Sequence, residues 1–200
     1  MMLHFNPFQI FTSSQTPVGL YARQKWLGEE KTSKWQADFQ ACVNGLFKNQ
    51  AADGSWDQNP LTTIKRLFGL QDDTRVLDLY HRLSPEDPER PSWLDDWASR
   101  HNILRALVVH PTYSDDDVTQ SAVERLAALQ TEDGEWGNDL PCFQTLNALA
   151  HLTSPQAEKQ LERAFPRVLE LQETDGTFSR LEPEWNTFLT VHALKNKGLI

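Results

Sequence analysis

Cysteine is scarce in this chain. Only Cys42 and Cys142 occur among 200 residues, and their placement has no metal-type spacing, so a disulfide framework and a thiolate zinc cluster are both disfavoured. Free, reduced thiols in a cytoplasmic protein are the expectation. No stretch approaches 18 consecutive apolar residues, so no transmembrane segment is expected. Residues 1–15 have neither a basic start nor an apolar run, and do not read as a signal peptide. Positive charge is also short. Nineteen Lys and Arg stand against 28 Asp and Glu, a net charge of −9, which argues against nucleic acid and against an anionic membrane surface. There is no Gly-rich phosphate loop, no His-Glu-x-x-His and no Gly-x-Ser-x-Gly. The six histidines, His4, His81, His101, His110, His151 and His192, are dispersed.

Aromatic residues are plentiful: seven Trp and ten Phe, enough for a packed helical core or an aromatic-lined cavity. They fall into a repeat. Gln50 to Trp56, Gln130 to Trp136 and Gln172 to Phe178 each read Gln, three residues, Gly, one residue, aromatic. The glutamines lie 80 and 42 residues apart, which fits a period near 40 with one copy degenerate. Such a period marks helical units that bury their apolar faces only by stacking on neighbours. An aliphatic residue (Leu46, Leu126, Val168) precedes each glutamine by four positions. A second apolar run follows, Phe143 to Leu149 in one copy and Phe188 to Leu194 in the next. The motif suits a helix end: Gly closes the helix in the left-handed region, Asp-Gly favours a turn, and the glutamine amide bonds orphaned backbone groups.

Gln-x-x-x-Gly-x-Trp resembles the QW motif of the squalene–hopene cyclase and protein prenyltransferase β-subunit superfamily, the terpenoid cyclase fold. The resemblance covers residues 34 to 199 and implies an all-α protein, an α/α toroid of helical hairpins around a central cavity. Gln50, Gly54, Trp56, Gln130, Gly134, Trp136, Gln172, Gly176 and Phe178 are then structural. A chain of this length holds fewer than five repeats against the family's roughly six hairpins, so a partial toroid of eight or nine helices is expected.

In order, residues 1–16 read as an extended N-terminal arm and 17–200 as a single repeat domain. Helices are expected over 17–28, 33–49, 60–70, 74–83, 92–110, 114–130, 141–152, 154–172 and 184–197. The Pro-rich run 84–91 cannot be helical. Ser114 is expected to cap one helix, and Thr153 with Gln156 to form a capping box at another.

The family's chemistries fit poorly. Ser114-Asp115-Asp116-Asp117 departs from the Asp-x-Asp-Asp acid of class II cyclases at its first residue. Asp72-Asp73, Asp95-Asp96 and Asp116-Asp117 each lack the last carboxylate of the magnesium-binding Asp-Asp-x-x-Asp. Prenyltransferase zinc would fall on Asp139 and Cys142, with two residues between them where the family has one. Its histidine position falls near Trp185-Asn186-Thr187, where Asn186 is a poor ligand, and His192 lies on another face. The thioester motif Cys-Gly-Glu-Gln is absent. Trp93, Asp95, Asp96 and Trp97 offer the residue types of a carbohydrate-active groove. No cofactor is expected, since neither zinc nor magnesium finds a complete ligand set.

The resemblance therefore implies a non-catalytic module that binds a hydrophobic, isoprenoid-like ligand or a partner protein on a concave, aromatic-rich side. The alternative is a cyclase- or prenyltransferase-like enzyme with an atypical or partner-completed site. Ligand contacts are expected at the starts of the inner helices: Asp139, Cys142, Phe143, Glu184, Trp185, Asn186 and Phe188. An incomplete arc leaves apolar ends. The arm residues Leu3, Phe5, Phe8, Ile10 and Phe11 are expected to pack on an open end or across the cavity mouth, and what remains uncovered to drive homodimerisation.

Overall fold

Threonine, aspartate and serine set where the helices begin. In the computed structural model, which describes residues 3–48, 50–52, 104–137 and 140–200, the Thr16 hydroxyl accepts from Gly19 N and opens α1 (Pro17–Lys25) with proline in its first turn. Thr32 does the same for α2 (Ser33–Phe47), accepting from Trp35 N. Asp116 accepts from Val118 N and opens α3 (Asp117–Leu129). Then follow α4 (Cys142–Leu149), α5 (Pro155–Glu170) and α6 (Pro183–Asn196). Side-chain oxygens thus satisfy backbone donors that a helix start leaves orphaned. A 3-10 turn spans Gln9–Phe11, residues 104–107 are helical, and no strand occurs among the described residues. The class is all-α.

Several boundaries differ from the sequence expectations. Ser114 does not cap α3; its amide bonds His110 O, and the helix starts three residues later at the better-placed Asp116 carboxylate. Thr153 and Gln156 form no capping box, because Ser154 is itself the cap, accepting from Ala157 N. The arm is not extended throughout, since the 3-10 turn lets Phe11 bury completely. The expected helices over 60–70 and 74–83, the loop 84–91, most of 92–110, and Gly54, Trp56, Trp93, Asp95, Asp96, Trp97 and Asp139 lie outside the described residues.

The chain divides into two compact units, Asn6–Asp73 and Met1–Phe5 with Thr74–Ile200. In the first, the Trp26 ring is met edge-on by Phe8, Phe11 and Tyr21. Behind them Arg23 is fully buried, bonded to Glu29, Asp38 and the Ser14 carbonyl, each at 2.8 Å. Trp35 donates its indole N–H to Leu20 O, joining α1 to α2. Phe39 stacks on Trp35 but is itself 45% exposed.

The second unit contains two copies of one hairpin, α3–turn–α4 and α5–turn–α6. Helix α5 buries Ala157, Gln160, Leu161, Ala164, Phe165, Val168 and Leu169, a single face at helical spacing. Helix α6 buries Thr187, Leu189, Thr190, Val191, Ala193 and Leu194, which lie on more than one face. Helices α4 and α6 meet at a constant sequence separation of 45, Asn147 with His192 and His151 with Asn196. Partners that advance in step along both helices mean that the two run parallel, side by side.

The repeated motif is a folded turn with one set of bonds. Gln130 N bonds Ala127 O and Gln172 N bonds Leu169 O; Gln50 N bonds Phe47 O in the same way, ending α2. In the two complete copies the glutamine Nε2 then donates to the glycine carbonyl, Gln130 to Gly134 and Gln172 to Gly176. The aspartate accepts from the backbone two residues on, Asp133 from Glu135 N and Asp175 from Thr177 N. Both glycines are left-handed, at φ 91° and 90°. The closing aromatic is buried in each: Trp136, which bridges back to Gln130, and Phe178.

Candidate functional site

Helices α4 and α6 each carry a half-exposed stripe. On α6 it is Trp185, Phe188 and His192, spaced three and four residues apart; on α4 it is Phe143 and Asn147, four apart, continued by His151 in the turn just past the helix end. These spacings place each set on one helix face. Because α4 and α6 run parallel, the two faces lie next to each other.

The α6 rings form a row. Trp185 stacks on Phe188 with centroids 5.9 Å apart and planes at 12°. Phe188 stacks on His192 at 5.5 Å and 9°. His192 meets His151, just past the end of α4, at 5.2 Å, tilted by 47°. At the other end the Arg105 guanidinium lies over the Trp185 ring, 5.8 Å from its centroid, a cation–π contact. Burial lowers the Arg105 pKa.

Hydrogen bonds set the histidine tautomer. Asn147 Nδ2 donates to Leu189 O at 3.1 Å and lies 3.1 Å from His192 Nδ1. A carbonyl can only accept, so the atom between them is the amide nitrogen and His192 Nδ1 is an acceptor. The His192 proton is therefore on Nε2. Burial lowers its pKa. His151 is pushed down to about 4, first by burial, then by the charges that His192 and Lys197 would place beside it. Both imidazoles are neutral at pH 7.

Of the expected contact residues, Trp185 and Phe188 form this row, and Phe143 lies on the matching face of α4. Cys142 is the first residue of α4, and its thiol is pushed up to about 12 by burial, helped by the Glu135 and Asp133 carboxylates against Arg167. It is a protonated, unreactive thiol. Asn186 turns away from the row: its Nδ2 donates to Leu181 O at 2.8 Å, holding the loop before α6. Glu184 stands in the first turn of α6, with Oε1 buried and unbonded. Asp115, Asp116 and Asp117 form the start of α3 and take no part in this stripe. Among the described residues, no three His, Cys, Asp or Glu side chains are grouped to hold a metal ion, and no helix is long and apolar enough to cross a membrane.

Sequence reasoning assigned no role to Arg105, Asn147 or His151, and weighed His192 only as a zinc ligand. A signal for three of them was present: Asn147 and His192 are equivalents 45 residues apart, and His151 is one turn beyond Asn147. No protein-family model matches the chain, and no match to it was found among curated proteins or solved structures.

Proposed function

We propose that the chain is a partial α/α toroid of squalene-cyclase-type repeats, without that family's catalytic motifs, which binds an elongated apolar ligand along its inner helices. The row Trp185–Phe188–His192–His151 carries this reading. Its rings meet in sequence and stay half-exposed, while Thr187, Leu189, Thr190 and Val191 between them on α6 are buried. Flat apolar surfaces with a few fixed polar groups suit an isoprenoid-like or polycyclic molecule. Neutral imidazoles add no charge that such a ligand would have to desolvate.

Titration with a long isoprenoid alcohol, followed by calorimetry, tests the reading. Saturable binding is expected, weakened at least tenfold in both Trp185→Ala and Phe188→Ala, each checked for native helicity by circular dichroism. Absence of binding, or binding indifferent to both substitutions, would overturn it.

A further inference from the structure

The turns after α3 and α5 share their central bonds, from the glutamine amide to the glycine carbonyl and from the backbone to the aspartate, but their glutamines hold different groups beyond the turn. Gln130 Nε2 donates outward to Gln160 O at 2.9 Å, a carbonyl of the helix α5. Gln172 Nε2 donates outward to Phe5 O at 3.0 Å, and its Oε1 accepts from His4 N at 2.9 Å and from Phe5 N at 3.1 Å. One side-chain amide thus pairs with both polar groups of Phe5 and with the amide before it. These bonds all go to backbone, and the His4 and Phe5 side chains are exposed. The recognition is of a peptide main chain, in a segment that belongs to no helix. It is separated from Gln172 by 167 residues of sequence.

We propose that the Gln172 turn is a peptide-docking site whose ligand is the His4–Phe5 segment, held here by the same chain and open to that segment of a second copy. The position that docks a helix in one copy of the motif docks a short irregular peptide in the other. Chain exchange of such a segment needs no new contact, only the same bonds made between copies. The site shares no residue with the ring row, so it stands whether or not a ligand binds there.

Two measurements on the full-length chain test this. Amide hydrogen exchange at His4 and Phe5 should accelerate at least tenfold in Gln172→Ala, with α6 amides unchanged, and should stay slow in Gln130→Ala. Unchanged exchange in Gln172→Ala would overturn the proposal. The second uses a labelled peptide of residues 1–8 and Phe5→Pro, which removes one donor of the resident segment. The peptide should bind that variant at least tenfold more tightly than the native chain, and lose this binding when Gln172→Ala is added. Equal binding to both chains, no binding to Phe5→Pro, or binding indifferent to Gln172 would overturn it as well.

Discussion

Gln160 Oε1 accepts the Trp136 indole N–H at 3.0 Å inside the second unit. The same amide's Nε2 donates to Val123 O on α3 and to Gln156 O on its own helix, and the Gln160 carbonyl takes the Gln130 amide. One buried glutamine on α5 therefore ties together the preceding helix, its turn and the aromatic that closes it.

Breaking that tie has a graded cost. Trp136→Phe keeps most of the buried ring but leaves Gln160 Oε1 without its donor, and should lower stability by about 1–3 kcal/mol. Trp136→Ala also empties a packed site and should cost about 3 kcal/mol or more. Gln160→Leu should fall near the first value and make Trp136→Phe nearly free in the double variant. Urea melts of the four chains measure this coupling.

Acid should destabilise the second unit through His151. The unfolded imidazole titrates near 6.5 and the folded one near 4. Between those values the unfolded chain binds more protons, so stability is full above pH 6.5 and declines as pH falls toward 4. His192 is displaced in the same direction by burial. His151→Gln should flatten the dependence between pH 6.5 and 4 by up to about 3 kcal/mol, read from thermal midpoints across that range.

Much of this architecture was legible because the motif is local. Gln130, Gly134 and Trp136 also bond to one another within their own turn, so their spacing identified the turn and its helix end. The helix starts were less legible. Ser114 and Asp116 are both good caps, and the choice depends on the helix beginning at Asp117, which α3 settles by its packing. The ring row was half legible: Trp185 and Phe188 were marked by their place at a helix start. His151 and His192 needed the parallel alignment of α4 and α6, which is a tertiary fact. Gln160 gave a signal that was passed over, a polar residue at an otherwise apolar position of an amphipathic helix.

In the first unit, Arg23 offers an independent test. Its side chain is wholly buried between Glu29 and Asp38, with one further nitrogen, Nη2, unbonded. Burial alone would lower its pKa, but the bonds to Asp38 and Glu29 outweigh this and raise it. Asp38 is held below its ordinary value, chiefly by the Arg23 bond. Its contribution is present above the unfolded carboxyl's pKa and is lost as pH falls through the depressed one. Arg23→Met should cost about 3 kcal/mol or more at pH 7, because it strands two carboxylates. It should also weaken acid sensitivity below pH 4, so the two chains' melting temperatures should converge on acidification.

Two glycines separate strain from crowding. Gly28 and Gly134 both have positive φ, 70° and 91°. A Cβ on Gly28 would meet nothing within 4 Å, whereas one on Gly134 would lie 2.3 Å from Arg163 O and 2.8 Å from Arg163 C. The obstacle is backbone of α5, fixed by the Arg163 and Arg167 bonds to Thr131 O and Glu135, and cannot swing aside like a side chain. Gly28→Ala should therefore cost only the left-handed penalty, about 1 kcal/mol. Gly134→Ala adds a forced shift of α5 away from its neighbour, and should cost about 3 kcal/mol or more. Denaturant melts decide the matter. Equal losses at the two sites would mean that α5 can move off the turn freely, and that the motif does not clamp the two hairpins together.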